Sequence, residues 1–267
     1  MPLSSSHLTV ASPKPAASCA DCAVKPLALY GARGIDFSAE ISKVRRECRR
    51  VAARRMILRA GEAPQDVYTV LEGWAYRFLL LPDGRRQILG YYLPGNIISL
   101  EALHMARMHM SVQALTDMML CVFDAERFKA FVKDHPAVAA EAERACIQRT
   151  ILTDNRLMDL GRRTALEKVA RLVLDTYARL AHRGRVDGQT FSWPLRHEHI
   201  ADTLGLTPVH VSRTFRALRQ QGLLEIHGQE VTILDAAAML LTAGLPDDYL
   251  SADGRHRHLF GKSIEPA

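Results

Sequence analysis

The sequence predicts an α+β protein in three successive parts: a β-roll of the jelly-roll kind, a long helix, and a small helical unit closed by a β-hairpin. Three observations carry this. Between Ile57 and Phe123, short apolar runs (RMILRAGE, VYTVLEGWAYRFLLL, RRQILGYYL, DMMLCVFD) are punctuated by Gly61, Gly73, Pro82-Asp83-Gly84 and Pro94-Gly95, the spacing of a sandwich of short strands. From Ala137 to Leu160 neither Pro nor Gly occurs, so one helix can run throughout. Residues 196–233 then read RHEHIADTLGLTPVHVSRTFRALRQQGLLEIHGQEVTI, two short helices and a hairpin.

The bulk properties set the frame. The chain has 267 residues, 48% of them apolar, enough for two modest domains with cores of their own. A net charge of +6 favours a polyanionic partner. No apolar run approaches a membrane span, and the opening MPLSSSHLTVASPKPAAS lacks the basic and apolar regions of a secretory signal, so a cytoplasmic protein is expected. The five cysteines, Cys19, Cys22, Cys48, Cys121 and Cys146, are an odd number that argues against a disulfide framework and for ligands or core thiols.

Taken in order, residues 1–30 are expected to form a mobile segment carrying a Cys-x2-Cys pair, 31–136 the roll, 137–163 a dimerisation helix, 164–245 the reader unit and 246–267 a loose tail. In the long helix, Ile147, Ile151, Asp154 and Met158 fall near a/d spacing and are the expected dimer seam, with Asp154 weakening the pairing. Thr164 and Glu167 form a capping-box signature that opens the next helix, and Gly161 before it is the expected hinge. In the reader, one helix from His197 to Leu204 ends at Gly205. Thr207 caps a second helix running from Pro208 to about Gln221. Val211, Phe215, Leu218 and Leu223 are its packing face, and a hairpin turning at Gly228 follows. This is the layout of a winged helix-turn-helix. The second helix would enter the DNA major groove with Thr207, Pro208, Val209, His210, Ser212, Arg213 and Arg216 toward the bases and backbone.

The order of roll, long helix and winged reader resembles the Crp/Fnr family of bacterial transcription regulators, its Fnr/FixK-like branch in particular. The most specific stretches are GEAPQDVYTVLEGWAYRFLLLPDGRRQILGYYLPGN and LGLTPVHVSRTFRALRQQGLL. The resemblance implies a homodimer on a two-fold symmetric double-stranded DNA site, a cyclic-nucleotide-binding-like roll as sensor, and RNA polymerase as a protein partner. The family's reader helix commonly carries Glu-x-x-Ser-Arg. Here Ser212 and Arg213 match, while Val209 holds the Glu position, so the family's usual half-site does not transfer unchanged.

Three signals compete. The cAMP-binding branch carries a Gly-Glu pair and an Arg-Ser pair; this chain has Ser99-Leu100 and Met110-Ser111 in their places, without the cation a buried phosphate needs. The oxygen-responsive branch holds a [4Fe–4S] cluster on Cys-x2-Cys-x7-Cys plus a strand cysteine. The resemblance assigns Cys19, Cys22 and Cys121 to that set, but Tyr30 stands at the third position, with Cys48, an Asp, a His or a solvent molecule as candidate replacements and a vestigial set the alternative. The haem-sensing branches point to LHMARMHM, whose two histidines and three methionines equally suit core methionine with solvent histidine. A redox or gas signal through Cys19, Cys22 and Cys121 is the leading expectation. Effector-independent or haem-responsive regulators are alternatives, and a cupin-like enzyme is a remote one.

Overall fold

The computed structural model describes residues 19–250. Two 3-10 turns, Lys25–Leu27 and Ala32–Gly34, lead into α1 (Ser38–Val44). The roll follows: β1 (Arg45–Val51), β2 (Met56–Leu58), β3 (Asp66–Glu72), β4 (Ala75–Leu80), β5 (Arg86–Tyr92), β6 (Ile97–Ile98), β7 (Ser111–Ala114) and β8 (Met118–Asp124). They form two four-stranded antiparallel sheets, ordered β1-β8-β3-β6 and β2-β7-β4-β5.

Strand β8 shows how the sequence drives this. Side chains alternate faces along a strand. Met118, Leu120 and Val122 point into the roll, against Val70, Met110 and Val112. Cys121 and Phe123 point outward and are buried as well. What covers that outer face is the segment before α1, with Cys19, Ala28, Leu29 and Tyr30 packed on Val67, Phe123 and Phe128. Residues 19–30 therefore lie on the roll, against the expectation of a mobile segment. They have enough apolar surface to dock once Cys121 and Phe123 present a face to them. Residues 1–18 of that expectation lie outside the described residues.

Strand β1, Arg45-Arg46-Glu47-Cys48-Arg49-Arg50-Val51, was not expected as a strand. It is an edge, paired antiparallel only with β8, and charged side chains suit an edge that must not recruit further strands. Helix α2 (Ala125–Asp134) also goes beyond the expectation; the Asp124 side chain caps it by accepting from Arg127 N at 3.1 Å.

Helix α3 runs Pro136–Gly161 and α4 Ala165–Ala181, the latter opened by the Thr164–Glu167 capping box. The reader continues with β9 (Val186–Asp187), β10 (Thr190–Ser192), α5 (His197–Leu204), α6 (Pro208–Gln220), β11 (Leu224–His227), β12 (Glu230–Ile233) and α7 (Ala236–Ala243). The wing is a four-stranded sheet, β11-β12-β10-β9, rather than a lone hairpin. Past α7, Asp247–Leu250 makes a 3-10 turn whose buried Tyr249 donates to Asp175 on α4. The start of the expected loose tail is thus pinned to the reader; residues 251–267 lie outside the described residues.

The outer face of the second roll sheet packs directly on the reader. Trp74, Tyr76, Phe78, Ile88 and Tyr91 share one apolar cluster with Ile200, Leu204 and the rest of the reader core. Polar contacts frame it: Arg86 pairs with Asp202 at 2.6 Å, and the Tyr91 hydroxyl meets Thr203 Oγ1 at 2.5 Å.

Candidate nucleic-acid interface and thiol cluster

The turn between α5 and α6 follows from three residues. Gly205 adopts φ +62°, a left-handed backbone that closes α5. A Cβ there would come within 2.9 Å of Leu160 on α3, so both conformation and space call for glycine. The Thr207 hydroxyl accepts from His210 N at 3.2 Å, and Pro208 starts α6 without needing a donor. Val211, Thr214, Phe215 and Leu218 are buried, with Phe215 set against Trp193 and His197. The opposite face turns outward: Val209, His210, Arg213, Arg216 and Arg219 are exposed and Ser212 is half-buried. The face combines short side chains at its start with arginines one and two turns on.

On α3, Ile147, Asp154, Leu157 and Met158 are exposed along one stripe. Ile151 departs from the expected seam. It is half-buried and packs on the core cluster, because the inner face of α3 at this level lies against the roll and reader. Leu157, not singled out from the sequence, takes an outward position one helical turn after Asp154.

The signal candidates separate by burial. Met110 is 0% exposed inside the roll, beside Leu58 and Val112, while Leu100 is buried in the cluster on the other side of the sheet with Ile97 and Phe123. The roll interior is filled by side chains where a cyclic nucleotide would need polar partners. In LHMARMHM, Met108 and Met110 are core while His104 and His109 are exposed; Met108 sulfur accepts from the Ser99 hydroxyl at 3.7 Å.

The cysteines converge. Cys121 on β8 lies opposite Cys48 on β1 in the strand register. Cys19 reaches the same place from the preceding segment. Cys19 and Cys121 are buried in one cluster, and there the neighbouring Cys121 thiol, Ser42 and the Arg45 charge pull Cys19 down, while Cys19 and burial push Cys121 up. Cys22 sits nearby, its thiol pushed up by burial. Cys146 is exposed on α3, apart from this group.

Tyr30 is buried beside the thiols, its ring 6.2 Å from Phe123 and its hydroxyl without a hydrogen bond. Burial pushes that hydroxyl upward, away from the phenolate a ligand would need. Among the described residues, no three His, Cys, Asp or Glu side chains are spaced to hold a metal ion. The residues present therefore do not fit a [4Fe–4S] cluster: a neutral, buried aromatic ring occupies the third ligand's place.

Comparison with known proteins agrees with this architecture. Residues 48–135 match the cyclic nucleotide-binding domain and residues 167–241 the Crp-like helix-turn-helix domain. The chain is 33% identical to the transcriptional activatory protein AadR of Rhodopseudomonas palustris over 80% of its length and 88% of that protein. It is also 33% identical to the nitrogen fixation regulation protein FixK of Bradyrhizobium diazoefficiens, over 82% and 91%. The solved structure of FixK2 from Bradyrhizobium japonicum superposes with a TM-score of 0.68 at 25% identity, covering 73% of this chain and 96% of that one. Among the described residues, no helix is long and apolar enough to cross a membrane. With its filled roll, exposed reader helix and these relatives, the chain belongs to the Crp/Fnr family of DNA-binding transcription regulators.

Proposed function

We propose that the protein is a cytoplasmic homodimer that reads a two-fold symmetric DNA site and meets RNA polymerase at promoters, and that its redox signal enters through the Cys19–Cys121 thiol pair. The outward face of α6 carries the DNA reading. The exposed apolar stripe of Ile147, Leu157 and Met158 on α3, interrupted by Asp154, supports pairing with a second copy. Two α6 helices then enter successive major grooves about 34 Å apart. Footprinting on selected sites shows a symmetric protected region; a monomer covering one asymmetric half-site overturns the dimer.

Arg213 reads a base edge, and Arg216 and Arg219 hold phosphates. Arg213→Ala costs about 1–3 kcal/mol on the selected site and far less on random DNA. Equal losses on both would make Arg213 a backbone contact. Val209 in place of a carboxylate shifts the preferred half-site, and selection from random sequence reports it.

For the signal, a hydroperoxide oxidises the Cys19 thiolate to a sulfenic acid and is itself reduced to water or an alcohol. The Cys121 thiol then attacks that sulfur, releasing water and leaving a disulfide. The burial of Cys19 and Cys121 in one cluster, with Tyr30 at the third ligand position, favours this over a metal cluster. After stoichiometric peroxide, alkylation and mass spectrometry find Cys19 and Cys121 joined, and Cys19→Ser prevents it. Finding both thiols still alkylated defeats the proposal. Iron and sulfide in protein purified without oxygen instead mean that Tyr30 moves aside for a cluster.

A further inference from the structure

Strand β8 has a neighbour on each side, β1 and β3. The register sets Cys48 of β1 and Thr69 of β3 directly opposite Cys121. Directly opposite residues of an antiparallel pair carry their side chains on the same face. Cys48, Cys121 and Thr69 therefore form one row across the sheet, on the outer face that residues 19–30 cover. Thr69 has no sulfur to offer, so Cys48 is the thiol partner that the ladder itself gives Cys121.

Backbone spacing decides what these two can do. Opposite residues in an antiparallel ladder have Cα atoms about 4.5 or 5.5 Å apart, and a disulfide takes about 4.4–6.8 Å. Cys48 and Cys121 are thus within bridging range where they stand. Pairing runs on to either side of them, from Arg45 opposite Phe123 to Val51 opposite Met118, so the register is held. Cys19 meets Cys121 in another way. It precedes the Lys25–Leu27 turn, outside any strand, and its segment is held on the sheet by the packing of Ala28, Leu29 and Tyr30. Access differs too: Cys19 and Cys121 are buried, while Cys48 is half-buried on an edge strand.

We propose that Cys48 is an exchange thiol: the disulfide formed between Cys19 and Cys121 passes across the β1–β8 ladder to become Cys48–Cys121, and Cys19 is freed. This deepens the redox reading given above and rests on it. Cys48 gives its proton to solvent, and its thiolate attacks the Cys121 sulfur. A bond forms between Cys48 and Cys121 as the Cys19–Cys121 bond breaks, and the electron pair departs on Cys19. One disulfide is consumed and one is made, so no further oxidant enters. The leaving group favours this direction, because a thiol of lower pKa leaves faster. Of the groups that pull Cys19 down, the Cys121 thiol is spent in the bond, but Ser42 and the Arg45 charge remain. What changes is the hold on the covering segment. The first bridge staples residues 19–30 to the sheet; the second closes a ladder that already exists and leaves that segment without a covalent tie.

The test follows the bridge in time. The full chain receives one equivalent of hydrogen peroxide, catalase removes what remains, and samples are alkylated at intervals and digested with trypsin. Arg46 and Arg49 flank Cys48 closely enough to put it on a short peptide of its own, so the two bridges differ in mass. Cys19–Cys121 forms first. After catalase it declines, Cys48–Cys121 replaces it, Cys19 is again alkylated, and amide hydrogen exchange over residues 19–30 rises. Cys48→Ser keeps the first bridge and the slow exchange. A wild-type bridge that stays on Cys19–Cys121, or converts to one through Cys22, overturns the proposal. Diamide on Cys19→Ser tests the strand pair without peroxide: it joins Cys48 to Cys121, and finding both alkylated overturns the proposal as well. If peroxide makes no Cys19–Cys121 bridge in the wild type, the earlier redox reading fails and the transfer fails with it, while a diamide bridge in Cys19→Ser shows that the strand pair is not the cause.

Discussion

Replacing Asp159 with alanine lowers the unfolding free energy by about 3–5 kcal/mol, the cost of removing one partner from a buried charge network. Asp159 sits near the end of α3 and is 1% exposed. Its two oxygens accept from Arg156 Nη1 at 2.8 Å and Arg163 Nη1 at 2.7 Å, with Arg171 Nε at 4.0 Å. These arginines belong to α3, the linker and α4, so one carboxylate ties together both sides of the junction. Without it, the buried Arg171 keeps only Asp175, 3.8 Å away. Urea unfolding followed by circular dichroism measures the change. A loss below about 1 kcal/mol, the range of a surface pair, shows that the network does not hold the junction.

Phe215→Ala is the second large effect, about 3–5 kcal/mol for emptying an aromatic site in a core. Phe215 is 2% exposed and lies on the inward side of the reader helix, its ring 6.4 Å from Trp193 and stacked 6.0 Å from His197. The arginines that face DNA owe their position to this inner contact, so specific binding disappears together with stability. Val209→Ala is the control on the same helix. Val209 is 61% exposed, so its loss stays within about 0.5 kcal/mol of stability and alters sequence preference alone. If Phe215→Ala binds its site at full affinity, α6 does not depend on that packing.

The reader was legible because its signals are local. Gly205, Thr207 and Pro208 specify a turn and a cap through their own backbone chemistry, and the periodicity of Val211, Phe215 and Leu218 names the buried side. The roll was legible as a class, but its edge was not. Arg45 to Val51 looks like a solvated charge run, and only pairing with β8 makes it a strand. That same pairing brings Cys48 opposite Cys121, a meeting across more than seventy positions of sequence that no spacing announces. The docked face was hidden for another reason. Tyr76, Phe78, Ile88 and Tyr91 read as apolar residues of a sandwich, and the sequence does not say whether the sandwich interior or a neighbour covers them. Ile151 illustrates the same limit on α3, where heptad spacing cannot tell a seam from a face turned to the protein's own core. The cavity where the roll, α3 and α4 meet is lined by residues from Pro26 to Arg183 and exists only once those elements converge.

The apolar face shared by roll and reader has a consequence for how this regulator can be driven. The reader rests in a seat of its own, so any displacement would require energy delivered from elsewhere. An input moves such a two-state balance only by its difference in affinity for the two positions. Carrying it from one per cent to ninety-nine takes about 5.5 kcal/mol. That exceeds what a single weak contact supplies, so small fluctuations in any one stimulus leave the output unchanged. Inputs that bear on the same seat add their free energies, and the transition becomes steep only when their sum clears the threshold. A deeper seat makes a quieter switch, and trimming Tyr91 or Ile88 would make a more excitable one.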